Sequence, residues 1–167
     1  MPNSGETARL AVTFWDFSLR LYGNVQVREQ LLQWQDENGA NVNAALLCIW
    51  AGKRGRALTH DQLRRALSAL AGWHSAVTHP LREQRRRLRN DWQHLAPGFV
   101  QTRQAILHAE LEAERVEQTL LLEALRPWPA AAPGDSGNLA AVNLQTYLGA
   151  AATAAPASII AAICSAE

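Results

Sequence analysis

The sequence is short of several things. Of its 167 residues only two are cysteine, one is methionine, three are phenylalanine and two are tyrosine. The two cysteines, Cys48 and Cys164, are far apart and sit in apolar surroundings. They form neither a disulfide framework nor a zinc ligand pattern, and they suit a reducing compartment. Charge of one sign is missing as well. The net charge is +1, so no overall field draws the chain to nucleic acid or to an acidic membrane. The longest uncharged stretch, Ser136 to Ala166, is rich in alanine and broken by Gly149 and Pro156. Alanine contributes little insertion energy and a span wants about 20 strongly apolar residues, so no membrane span is expected. The opening MPNSGETARLAV has no basic region followed by an apolar run. No signal peptide is therefore expected, and the cytoplasm is the expected location.

What is present is enough for a core. Hydrophobic residues make up 48% and charged residues 19%, which argues against disorder and against any need for disulfide or metal staples. Fifteen of the sixteen basic residues are Arg, with Lys53 the exception, and Ala occurs 30 times. That usage looks like a GC-rich bacterial genome.

No segment alternates apolar and polar residues with period two, whereas helical spacing recurs throughout. Residues 7–22 place Leu10, Phe14, Phe17 and Leu21 on one stripe, and Val12, Trp15, Leu19 and Tyr22 widen it, so a largely buried first helix is expected. Asp16 and Arg20 stand four apart and can pair on its other face. Gly23 breaks this helix. Asn24 can cap a second one reaching about Glu37, with Val27, Leu31 and Trp34 inward and Gly39 as a left-handed stop. Asn41 caps a third, whose uncharged NAALLCIWAG run marks it as the centre of the bundle. Thr59 and Gln62 read as a capping box, with Leu58 and Leu63 at the staple positions. Leu63, Leu67, Leu70 and Val77 line one face of the fourth helix. Pro80 then opens a fifth, running to about His94. After Pro97-Gly98 a long helix covers 99–125, with Ile106, Leu107, Leu111, Leu121, Leu122 and Leu125 apolar and Glu110, Glu112, Glu114 and Glu117 in its acidic middle. The expected fold is an all-α bundle of about six helices over residues 7–126. A Pro/Gly-rich linker, 127–138, and an Ala-rich segment, 139–167, follow, the last carrying two short helices near 139–149 and 157–164.

Two groups of residues could carry function. From Lys53 to Asn90 there are ten basic residues and two acidic ones, and Arg82, Arg85, Arg86 and Arg89 crowd one helix. Guanidinium forks match carboxylate or phosphate, so this face can engage an acidic protein surface or, less readily, nucleic acid. It can equally be neutralised by the acidic helix 110–123. No aromatic interleaving or Gly-rich phosphate loop accompanies it. The second group is Trp15, Trp34, Asp36, Asn41, Asn43 and Trp50. These residues are read first as core and caps, and alternatively as a pocket for a small ligand reached from the Asp36–Asn41 turn. The five histidines show no HExxH and no metal-ligand spacing. Neither GxSxG nor a Cys–His pair is present, so no metal, cofactor or catalytic residue is assigned.

Phe14-Trp15-Asp16-Phe17-Ser18-Leu19, then Tyr22, Gln35-Asp36, Gly39, Asn41-Val42-Asn43, Leu46-Leu47 and Trp50 resemble the signature of an uncharacterised proteobacterial family, a conserved hypothetical protein with a domain of unknown function. The resemblance runs on through Trp73, Pro80-Leu81-Arg82, Arg85-Arg86, Glu110-Leu111 and Glu117-Gln118. It implies a small helical bacterial protein and brings no activity with it. The function expected from the residues is a non-enzymatic interaction or adaptor module using the Arg face. The alternative is a ligand-binding or catalytic bundle with a Trp/Asn-lined pocket.

Overall fold

The computed structural model describes residues 4–92, 98–131 and 136–151. The described chain is all-α: α1 (Ser4–Gly23), α2 (Val25–Asn38), α3 (Val42–Lys53), α4 (His60–Trp73), α5 (His79–Asp91), α6 (Gly98–Ala124) and α7 (Ser136–Ala151). Among the described residues there is no strand, and one isolated bridge joins Arg56 to Ala131.

Local chemistry sets the boundaries. The Asn24 side chain accepts from the Gln26 and Val27 amides, and Asn41 accepts from the Ala44 amide. Each thereby satisfies donors that a helix start leaves open. Gly39 takes the left-handed conformation, with φ 65, that ends α2. Thr59 and Gln62 form the reciprocal capping box, and Leu58 and Leu63 are both buried beside it. Between α4 and α5 the chain does not break. It passes through one π-helical turn, His74–Thr78, in which the His79 amide reaches back to the His74 carbonyl. The wider turn absorbs the bond that Pro80 cannot make, and Pro80 sits in the first turn of α5. His94 lies outside the described residues, and α5 ends at Asp91.

Every residue of α3 from Val42 to Gly52 is buried, so α3 is the axis of the bundle. α7 lies directly against it. A Cβ on Gly52 would stand 2.3 Å from the Ala140 backbone nitrogen, so only glycine permits this approach. Asn143 of α7 is fully buried and its amide donates to the carbonyls of Cys48 (3.1 Å) and Arg56 (2.8 Å). Its carbonyl accepts from the Leu58 amide at 2.8 Å. Tyr147 accepts from the Asn41 amide at 2.9 Å, and burial pushes its phenol up to about 12. The 157–164 helix expected from the sequence lies outside the described residues.

Two expectations fail. α1 is not largely buried, because Val12 and Leu19 are 62% and 52% exposed. Leu19 borders a cleft and Val12 an adjoining depression rather than the core. Asp16 and Arg20 form no ion pair among the described residues. In the middle of α6 Glu110 and Glu117 are buried while Leu107 and Leu111 reach the surface, whereas Leu121 and Leu122 near its end, and Leu125 just beyond it, join the core.

Candidate functional site

Four helices leave a cleft of about 280 Å³ over α3. Each wall is a helical stripe. α1 contributes Trp15, Ser18, Leu19 and Tyr22. α2 contributes Arg28, Leu32 and Gln35. α6 contributes Leu107, Glu110, Leu111, Glu114 and Gln118, opposite Arg82 and Arg85 of α5. Asn43 and Leu46 of α3 form the floor. The three- and four-residue spacings within each stripe are what put these side chains on one face per helix.

The α5–α6 wall is an ion-pair cluster. Arg82 donates to Glu110 at 3.1 Å and to Glu114 at 2.7 Å. Arg85 binds Glu110 through both Nε and Nη2. Arg82 is buried, so its charge is spent on these carboxylates rather than offered to solvent. Burial holds Glu114 above the usual carboxylate range in spite of Arg82. Burial, reinforced by Glu114, also pushes the Tyr22 phenol well above its ordinary value, so it stays neutral.

The floor is a polar relay. His74 Nδ1 lies 2.8 Å from Glu117 Oε1, and Asn43 donates to Glu117 Oε2 at 2.7 Å. Burial raises the Glu117 carboxyl, but the bonds from His74 and Asn43 outweigh it and hold the group below the usual range. An ionised carboxylate only accepts, so His74 presents Nδ1–H and Asn43 presents its NH₂. The Asn41 amide, fixed by its own cap, stands 3.5 Å from His74 Nδ1, too far for a hydrogen bond of consequence. Asn43 Oδ1 therefore faces Gln118, whose Nε2 donates to it at 3.0 Å and to Ser18 Oγ at 2.9 Å. Ser18 in turn donates to the Phe14 carbonyl at 2.9 Å.

This relay uses both amide hydrogens of Gln118 and leaves its Oε1 without a partner, although the residue is only 2% exposed. Gln35 Nε2 and Trp15 Nε1 are also buried without partners. Three of the seven orphaned buried side-chain atoms among the described residues thus line one cleft. Buried polar groups are ordinarily satisfied, so such clustering marks a place where something else bonds. Arg28 is half-buried in the same cleft and makes no ion pair among the described residues. A more open depression of about 310 Å³ adjoins it, sharing Trp15 and Gln118, and there the Arg115 guanidinium covers the Trp15 ring at 4.6 Å. A third, of about 640 Å³, lies near Trp128, and Arg56 Nε is its one orphan.

The residues singled out from the sequence divide. Trp15 and Asn43 meet Arg82 and Arg85 in the cleft, so two separate readings converge on one place. Trp34 is fully buried edge-on to Tyr147, and Trp50 packs between Phe14 and Trp128. Asn41 is a cap. Asp36 pairs with Arg86, which also reaches Glu83 at 3.3 Å. Arg89 is exposed and makes no ion pair among the described residues. Gln35, Glu117 and Gln118 stand among the residues that carry the family resemblance, without a role, and His74 and Arg28 are not among the candidate site residues of the sequence. The one local signal for Arg28 is spacing: Arg28, Leu32 and Gln35 share one face of α2.

A family profile matches residues 13–121. The chain belongs to that family, described as a protein of unknown function (DUF2390). In this DUF2390 chain the matched range runs from α1 through most of α6 and includes every residue that lines the cleft, whereas α7 lies beyond it. No curated protein matches the chain, and no solved structure does. No described helix is long and apolar enough to cross a membrane. No cluster of three or more His, Cys, Asp or Glu among the described residues could hold a metal.

Proposed function

We propose that this DUF2390 protein binds a small organic molecule in the cleft between α1, α2, α5 and α6. The observation that carries the reading is the orphaned Gln118 Oε1, held in place by the relay from Glu117, together with the unpartnered Gln35 and Trp15 donors around it. The walls otherwise combine apolar Leu19, Leu32, Leu46, Leu107 and Leu111 with a few fixed polar groups, the usual make-up of a ligand site between helices. The volume, about 280 Å³, is near the lower end for such sites and suits a small metabolite. A thermal-shift screen of small organic molecules, run in parallel on the native protein and on Leu111→Trp, tests this. Leu111 lines the cleft and is 37% exposed, so a larger ring there narrows the cleft without being forced into the core. Ligands that raise the native Tm and leave the variant unmoved support the reading. Ligands that act alike on both, or none at all, count against it.

A second reading, an interaction module for an acidic protein surface, is favoured by Arg87 and Arg89, both exposed on α5. It gains nothing from Arg82 and Arg85, whose charges are matched within the chain. If it holds, Arg87→Glu with Arg89→Glu abolishes capture of the partner in a pull-down while the helical circular dichroism persists.

A further inference from the structure

We infer that the ligand of this cleft is a small monocarboxylate with an apolar body, its carboxylate on Arg28. The inference rests on the ligand-binding reading above and adds the chemical class.

Charge comes first. Five charged side chains line the cleft: Arg28, Arg82, Arg85, Glu110 and Glu114. Four of them close on one another, with Arg82 bridging Glu110 and Glu114 and Arg85 gripping Glu110. Arg28 is left over, half-buried and without a counter-ion among the described residues. A half-buried guanidinium with its fork unused favours a carboxylate, which it can grip bidentately. The lining then carries one positive charge in excess, matching one negative charge on the guest.

Hydrogen bonding points the same way. The unpartnered groups include two donors besides Arg28, namely Gln35 Nε2 and Trp15 Nε1, and one acceptor, Gln118 Oε1. Gln35 stands two turns along α2 from Arg28, on the same face and in the same cleft, so the two can contact one guest along its length. Ordinarily the O and N of an amide are interchangeable in assignment. Here the Glu117 carboxylate, through Asn43, compels Gln118 to present oxygen. A guest bearing a hydroxyl or N–H on its body satisfies that oxygen, whereas a second anionic group is repelled by it and by Glu110 and Glu114. The leucines of four helices supply the apolar contact.

The test uses three probes with one body and different heads: 3-phenylpropionate, 3-phenylpropionamide and 3-phenylpropylamine. Binding is measured by isothermal titration calorimetry on the full chain at low salt. The inference expects the carboxylate to bind at least about tenfold more tightly than the amide, and the amine not at all. It expects Arg28→Gln to remove that preference and Arg28→Lys to keep most of it, with thermal melts showing all three proteins folded. Equal binding of carboxylate and amide, or a preference untouched in Arg28→Gln, overturns the assigned class. In that case, binding that is still lost in Leu111→Trp leaves the cleft itself standing as a ligand site. If no probe binds, or binding is indifferent to Leu111→Trp, both the class and the cleft reading fall.

Discussion

Asn43, at the start of α3, gives its side-chain amide to Glu117 of α6 at 2.7 Å, and this bond fixes which way the amide of Gln118 must face. One buried carboxylate thereby sets the polarity of the cleft floor two side chains away. His74 holds the other carboxylate oxygen from the π-helical turn, so the turn forced by Pro80 and the floor of the cleft are one construction.

The first prediction concerns Glu117 and pH. Its carboxyl lies below its unfolded range, so the stability it contributes is present above that range and is lost as pH falls through the folded value. Glu117→Gln is expected to cost about 1–3 kcal/mol near neutrality. The gap between the native protein and the variant should close only as pH falls below the ordinary carboxylate range and Glu117 becomes protonated, when it resembles Gln. Urea unfolding at a series of pH values checks this, and a gap that stays constant contradicts it.

The second concerns the ion-pair wall. Glu110→Leu leaves Arg85 without a partner and Arg82 with only Glu114, and should destabilise by about 3–5 kcal/mol. Combined with Arg82→Met it should cost less than the sum of the two single changes, with a coupling of about 1 kcal/mol or more. Strict additivity in the double-mutant cycle contradicts a closed cluster.

How much of this was legible in the sequence depended on range. Asn24, Asn41, Gly39 and the Thr59–Gln62 box act on amides within a few residues, so their roles follow from local order alone. The Arg82–Glu110 pair spans 28 residues. The sequence shows an Arg-rich helix and a Glu-rich helix, and only packing decides that they face inward toward each other. That inward facing also buries Glu110 in the middle of α6 and leaves Leu107 and Leu111 at the surface, while Leu121 and Leu122 at its end are core as apolar residues usually are. Val12 and Leu19 mislead for a related reason: Leu19 borders the cleft and Val12 the adjoining depression, not the core. Trp34 and Trp50 have the same residue type as Trp15 and similar helical spacing, and only the position of α7 and Trp128 seals them away.

The third prediction tests the α3–α7 contact. Gly52→Ala places a methyl group against the backbone of Ala140, which cannot move aside as a side chain would. A loss of at least about 1–3 kcal/mol is expected, with faster hydrogen exchange in α7 than elsewhere. Unchanged exchange in α7 argues against the close approach.

The fourth concerns Asn143, whose partners lie 85 to 95 residues away in the chain. Asn143→Leu deprives the Leu58 amide and the Cys48 and Arg56 carbonyls of their partner. The cost should be at least about 2 kcal/mol in denaturant unfolding. A neutral substitution means water serves those groups as well.

The most direct test of the central claim is a two-dimensional ¹H–¹⁵N spectrum of the protein titrated with 3-phenylpropionate. The account predicts that the Trp15 indole and the side-chain amides of Gln35 and Gln118 shift together, in saturable fashion, while the Trp34 and Trp50 indoles stay still. Shifts confined to other residues, or no saturable shift at those three side chains, contradict it.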